Sequence, residues 1–235
     1  MLVIAHRGAS GYAPENTLAS IRLALKQKCK AIEIDVQLTN DNYLAVCHDW
    51  RVDSISNGKG EIKDLTLSQI KSLDAGSWFS EKFAGEKIPI LEEVLEILPK
   101  KLLLNIELKK KSTDTRNLEE KVIEVLRRYN RIDRVIISSL NHNALKNVQK
   151  LDDRIKIAAA IDGNLVNPID YIIRGDWRVD IYHPSIDYVS RKIVKQFHNC
   201  GIKVNCWTIN KKEEGEYLET LGVDGIMTNF PDIFL

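Results

Sequence analysis

The sequence predicts an α/β fold: a TIM (β/α)8 barrel with a small insertion after its second strand. Three observations carry that reading. Eight short β-rich runs alternate with helical patterns from one end of the chain to the other. The 235 residues suit one such barrel, for which roughly 250 residues is typical. The first turn, HRGASG, lacks the GxGxxG spacing of a dinucleotide-binding open sheet. A doubly wound open sheet, which usually needs fewer strands, therefore ranks second.

Taken in order, the first strand is LVIA (2–5), followed by a turn rich in Gly, Ser and Pro. A helix follows in which Leu18, Ile21 and Leu25 recur at helical spacing, and Asn16 is read as its start. The second strand is AIEIDVQL (31–38). The rhythm then breaks. Between Asp49 and Pro89 lie NGKG (57–60), a helix-like LTLSQIKSL (65–73) and an aromatic pair, Trp78 and Phe79, before the helix LEEVLEIL. Connections in such units are typically ~2–6 residues. The stretch at about 49–89 is therefore read as a small insertion on one end of a single domain spanning 1–235. The third strand, LLLNIEL (102–108), leads to a helix marked by Leu118, Val122, Val125 and Leu126. RVIISS (134–139) leads to a helix started by Asn141. KIAAAI (156–161) and DIY (180–182) follow, then a helix through Ile193, Val194 and Phe197 that stops at Gly201. KVNCW (203–207), a helix stopped at Gly222, and DGIM (224–227) complete the count.

Charge excludes one class of partner. With 34 basic and 33 acidic residues the net charge is +1, too even a balance to attract nucleic acid in general. An apolar fraction of 44% fits a globular chain. No run approaches the ~18 apolar residues of a membrane span, so no stable membrane insertion is expected. MLVIAHRG is too short an apolar start for a signal peptide. Cys29, Cys47, Cys200 and Cys206 form no CxxC pair and are read as reduced thiols of a cytoplasmic protein. Oligomeric state is not legible.

The chemistry begins with Glu33 and Asp35. Two apart in a strand, they share a face, while Ile32, Ile34 and Val36 share the other. The isoleucines suit the helix layer, which leaves both carboxylates aimed at the barrel interior. The next strand repeats the pattern, placing Glu107 and then Lys109 on one parity. Three converging carboxylates repel one another unless a cation neutralises them, and an all-oxygen set suits one divalent cation, Ca2+ or Mg2+. The last two lysines of the KKK run (109–111) are read as solvated. His6 and His48 both sit where a strand gives way to a loop, the catalytic edge of a barrel. His142 and His198 are read as structural or surface residues, and His183 as able to approach the site. Two imidazoles, the adjacent Arg7, a cation and Lys109 together suit phosphoryl chemistry on a small phosphoester.

These residues carry a resemblance. IAHRGASGYAPENTLASI, AIEIDVQLTNDNYLAVCHD, GKGEIKDLTLSQIKSLDAG, IPILEEVLEIL, LLLNIELK, VNCWTIN and GVDGIMTNFPD stand in this order over nearly the whole chain. In them the chain resembles the glycerophosphodiester phosphodiesterases of the bacterial single-domain type. The resemblance implies a barrel with an insertion after strand two. It also implies metal-dependent hydrolysis of glycerophosphodiesters, such as glycerophosphocholine or glycerophosphoethanolamine, to sn-glycerol 3-phosphate and an alcohol. It carries over His6 and His48 as the acid–base pair, and Glu33, Asp35 and Glu107 as metal ligands. Arg7 and Lys109 become phosphate contacts, and Trp207 a wall of the substrate pocket. Gly8 and Gly11 would let the backbone turn tightly past the glycerol phosphate.

The chain departs from the family pattern at Ser54 and Ile55, at Ile90 and at Asn229, none of which is expected to touch the metal or acid–base set. Three rivals remain at this stage. One is a related phospholipase D/C-like phosphodiesterase acting on lysophospholipids or phosphoinositides, for which Trp78, Phe79 and Phe83 would form an apolar rim. The second is a silent barrel that binds a phosphodiester. The third is a sugar-phosphate lyase or aldolase.

Overall fold

Alternation along each strand sorts side chains into two shells, and the structure follows that sorting. It is a computed structural model describing residues Met1–Leu235. Eight parallel strands form the barrel: β1 (Leu2–His6), β2 (Ala31–Leu38), β4 (Leu103–Leu108), β5 (Val135–Ser139), β6 (Lys156–Ile161), β7 (Ile181–Pro184), β8 (Lys203–Cys206) and β9 (Gly225–Thr228). Each pairs with the next, and β1 pairs with both β9 and β2, which closes the cylinder. All eight sequence-predicted strands are present. The ninth, β3 (Leu44–Val46), was not anticipated; it runs antiparallel to β2 outside the barrel. Three residues are too few to show a period.

The outer shell holds Ile32, Ile34, Val36, Leu104, Ile106 and Leu108 against helices α1 (Leu18–Lys26), α3 (Leu91–Ile97) and α4 (Leu118–Arg128). On the far side Tyr182 stacks on Phe197 of α7 (Arg191–Asn199), ring centroids 4.2 Å apart. The inner shell has two small apolar groups, one where Ile4, Ala31 and Met227 meet and one of Ile136, Ala158 and Ile181. Toward the strand ends it turns polar: Glu33, Asp35, Asn105, Ser138, His183 and Asn205 are all buried.

The remaining helices are α2 (Leu67–Ser72), α5 (His142–Leu151), α6 (Pro168–Ile173) and α8 (Lys212–Leu221). Asn141 caps α5, accepting from Ala144 N at 3.3 Å, as its sequence position predicts. Asn16, by contrast, does not start α1. The cap is Thr17, whose side chain accepts from Ser20 N, and Asn16 stands before it with φ 56°.

The segment between β3 and α3 has a small core of its own, with Val52, Ile62, Ile70 and Ile88 buried. Its α2 opens on a reciprocal Thr66–Gln69 capping box. Asp74 organises its far end, accepting from the amides of Gly76, Ser77 and Gly85 at 2.8–2.9 Å. Trp78 and Phe79 meet edge to face, as do Phe79 and Phe83.

The first turn is tighter than its composition suggests. Gly8 has φ +81°, and a Cβ there would lie 2.6 Å from the Ser20 carbonyl carbon and 2.8 Å from Ile21 N. A Cβ on Gly11 would meet the Phe230 ring at 2.2 Å. Both glycines are required by neighbouring protein, the start of α1 and the C-terminal segment.

Gly8→Ala should therefore cost at least about 2 kcal/mol in urea denaturation, from left-handed strain plus a clash with helix backbone. The three amides hold Asp74 well below the usual carboxylate range, so its contribution is present above about pH 3.9 and lost as pH falls below that value. Asp74→Asn should flatten the acid limb of the urea midpoint plotted against pH; an unchanged limb would remove Asp74 from the account.

Candidate active site

β2 supplies Glu33 and Asp35, and β4 supplies Glu107 near its end. Register sets His6 beside Glu33, and Asp35 beside Glu107. Glu33, Asp35 and Glu107 each present an oxygen, all within 4.8 Å of one another. Glu33 and Asp35 are 2% and 1% exposed. Burial, then the charges of Asp35 and Glu107, push the Glu33 carboxyl well above its usual range. Burial and then Asp35 raise Glu107 as well.

Two cations stand against this set. Arg7 donates its backbone N–H to Glu33 Oε2 at 3.0 Å and Nη1 to Glu15 Oε1 at 2.9 Å. Its Nε lies 3.4 Å from Asp35 Oδ2 but makes no hydrogen bond. Lys109 Nζ donates to Glu107 Oε1 at 3.1 Å. Four carboxylates, counting Glu15, and two cations leave an excess of two negative charges. That excess, and a donor set made only of carboxylate oxygens, fit one hard divalent cation. Asn105 Oδ1, buried on the neighbouring register position, has no donor.

Asn16 is the site residue that sequence reasoning misassigned. Its amide grips Asp35 from both sides: Nδ2 donates to Oδ2 at 2.9 Å, and Oδ1 accepts from the Asp35 N–H at 3.2 Å. The left-handed backbone at Asn16 aims that fork. Gln37 was also missed, although it shares the parity of Glu33 and Asp35. Its Nε2 donates to Cys47 O at 2.9 Å and Asp49 O at 2.7 Å, and so pins the backbone on both sides of His48.

The two imidazoles have different partners. His6 Nδ1 is 2.7 Å from Asn229 Oδ1, which also accepts from Ser10 at 3.0 Å. With the amide oxygen so assigned, the His6 proton sits on Nδ1, and Nε2 faces Glu33 Oε2 at 4.0 Å. Burial, then neighbouring Arg7, lower His6 to about 4. His48 Nδ1 is 2.8 Å from Asp49 Oδ1, and Asp49 Oδ2 accepts from Ser54 Oγ at 2.6 Å. Burial opposes ionisation of Asp49, but the hydrogen bonds from Ser54 and His48 outweigh it and keep the carboxyl below its usual range. Two of the departures thus do touch the acid–base set, contrary to expectation: Asn229 directly, and Ser54 through Asp49. Ile55 packs in the core of the insertion, and Ile90 N donates to Glu93 at the start of α3.

A cavity of about 160 Å³ is lined by His6, Arg7, Glu33, His48, Glu107 and Lys109 among others. His183, Trp207, Met227 and Leu140 help form the rest. Trp207 Nε1 donates to His183 O at 2.9 Å, which sets its ring as a wall. His183 is fully enclosed, and burial lowers it to about 3, so it lines the site as a neutral ring. Asp35 lies behind the cavity surface. His142 bonds Ala160 O and Tyr171, and His198 bonds Asp224, both away from the cavity. Trp78, Phe79 and Phe83 do not line it either. Nor is Lys110 solvated as read: it is paired with the buried Glu119 at 2.6 Å. No helix is long and apolar enough to cross a membrane.

Comparison with known proteins places this site in a family. Residues 6–233 match the Glycerophosphoryl diester phosphodiesterase family. The chain is 43% identical over 237 residues to a glycerophosphodiester phosphodiesterase of Caldanaerobacter subterraneus subsp. tengcongensis, covering 100% of this chain and 96% of that one. It is 37% identical to a glycerophosphodiester phosphodiesterase of Bacillus altitudinis, covering 98% and 95% respectively. Its fold matches an Oleispira antarctica phosphodiesterase solved with the product sn-glycerol-3-phosphate, with a TM-score of 0.90, 32% identity and coverage of 99% and 94%. Fold, acid cluster, paired histidines and sequence agree: this chain belongs to the glycerophosphoryl diester phosphodiesterase family.

Proposed function

We propose that this protein hydrolyses glycerophosphodiesters, such as glycerophosphocholine and glycerophosphoethanolamine, to sn-glycerol 3-phosphate and an alcohol. The observation that carries the proposal is the one cavity lined by two imidazoles, a guanidinium, an ammonium and two carboxylates of an acid cluster that fits a divalent cation. Glu33, Asp35 and Glu107 would hold that cation, Ca2+ or Mg2+. When bound, it neutralises the acids and draws charge from phosphoryl oxygens. Arg7 and Lys109 orient the same phosphate, and Trp207 packs on the glycerol carbons. Of His6 and His48, one ring takes the proton of the attacking hydroxyl and the other gives a proton to the leaving alcohol oxygen. The attacker is water itself, or the glycerol 2-hydroxyl; the second route repeats the two transfers with the roles exchanged when water opens the cyclic phosphate. Four free cysteines, three of them buried, support work in the reducing cytoplasm.

Glycerol 3-phosphate release from glycerophosphocholine should be abolished by EDTA and restored by Mg2+ or Ca2+. No metal-dependent release from any glycerophosphodiester would overturn the reading. His6→Ala and His48→Ala should each lose at least roughly 10²-fold in kcat while remaining folded.

Saturating divalent cation should raise Tm by roughly 5–10 °C, and Glu107→Gln should abolish that rise. Asn16→Ala frees Asp35 from its fork. It should weaken cation affinity roughly 10–100-fold, read from the Tm titration, and an unchanged titration would reduce Asn16 to a fold residue.

A further inference from the structure

We propose that the alcohol half of the diester docks in a cationic annex beside the catalytic cavity, and that the annex selects a head group bearing a second phosphate. This rests on the phosphodiesterase reading above and names its preferred substrate class. The annex is a separate hollow of about 230 Å³ that shares Lys109 with the catalytic cavity. Trp50, two residues beyond His48, stands in its wall. The catalytic cavity, at about 160 Å³, is the smaller of the two hollows. Lys109 lines both hollows, so a larger substrate that extends past Lys109 enters the annex.

The charges of the annex decide what fits. Its lining carries Lys63, Lys109, Lys111 and Arg116 against Glu61 and Asp114. Arg116 is spent on the fold: it grips Asp114 at 2.7 Å and donates to the carbonyls of Leu38 and Thr39. Lys63 and Lys111 both turn to the one Glu61 carboxylate, at 3.4 Å and 3.6 Å. Lys63 has a further partner in the exposed Asp64 at 3.5 Å, outside the annex; Lys111 has Glu61 alone. Lys111 also stands 4.8 Å from the centre of the Trp50 ring, and Lys109 stands 5.9 Å from it. An aromatic face of this kind would ordinarily draw a quaternary ammonium. Here two ammoniums already flank it, so a choline group meets like charge. A phosphate meets Lys111 and Lys63, which share the one Glu61 carboxylate at 3.4–3.6 Å.

Three substrates on one scaffold test this: glycerophosphoglycerol, the same molecule with a terminal phosphate, and glycerophosphocholine. Wild-type kcat/KM should be roughly tenfold or more higher for the phosphorylated substrate than for the other two, from one charge-assisted contact. In Lys63→Ala/Lys111→Ala that advantage should vanish through KM, while glycerophosphoglycerol turnover stays within about twofold and so reports intact folding. Raising ionic strength should erode the same advantage. Turnover of glycerophosphoglycerol with no phosphate preference, or a preference that survives in the double variant, would overturn the annex and leave the phosphodiesterase reading standing. No turnover of any of the three would overturn both.

Discussion

Repulsion among three carboxylates at one end of the barrel is the constraint around which the rest is arranged. In an interior of low dielectric such charges cannot stand together uncompensated. Each response comes from a different part of the chain. Arg7 supplies an amide and a guanidinium from the end of β1. Asn16 supplies a forked amide from the turn before α1, and Lys109 an ammonium from just past β4. With Glu15, which also pairs with Arg7, counted among the acids, these leave over a double negative charge, and that excess fits a divalent cation.

Backbone strain goes with that arrangement. Arg7 and Asn16 both adopt positive φ, 57° and 56°, a region that Asn tolerates and Arg rarely visits. Their strain is held by a closed net of hydrogen bonds: Arg7 O accepts from Asn16 N at 3.0 Å and from Ser20 Oγ at 2.9 Å. The turn is locked from the other side too, because Gly11 donates to Asn229 O and packs on Phe230. Residues near the two ends of the chain thus orient His6 together. Strained backbone over-determined by its surroundings is a recurrent way of aiming groups at a functional site.

The second imidazole depends on another part of the fold. The β2–β3 hairpin brings His48 back to the barrel mouth, and Gln37 clamps the chain around it. Asp49 fixes the ring and is itself held by Ser54 of the insertion. The insertion is therefore tied to the orientation of His48 as well as to the rim. That tie gives a physical route by which changes in the insertion would be felt at that ring.

Much of this was legible in the chain. Parity alone put Glu33, Asp35 and Glu107 on interior faces, because side chains in a strand alternate whatever the fold around them. Alternating periods set the barrel, and the position of each histidine at a strand end set the edge on which chemistry would lie. Gln37 was legible by the same parity and was overlooked. Asn16 was not legible: before a helix an Asn reads as a cap, and only the left-handed turn, fixed by contacts with α1 and Phe230, swings it to Asp35 instead. The partners of the two histidines were also hidden, since Asn229 lies 223 positions from His6 and no local pattern spans that distance. Periodicity and residue type determined the strands, the inward acids and the class of chemistry, because they act over a few residues. Barrel closure and the packing of loops across it decided which amide holds which carboxylate and which oxygen orients which imidazole, because those contacts exist only once distant segments meet.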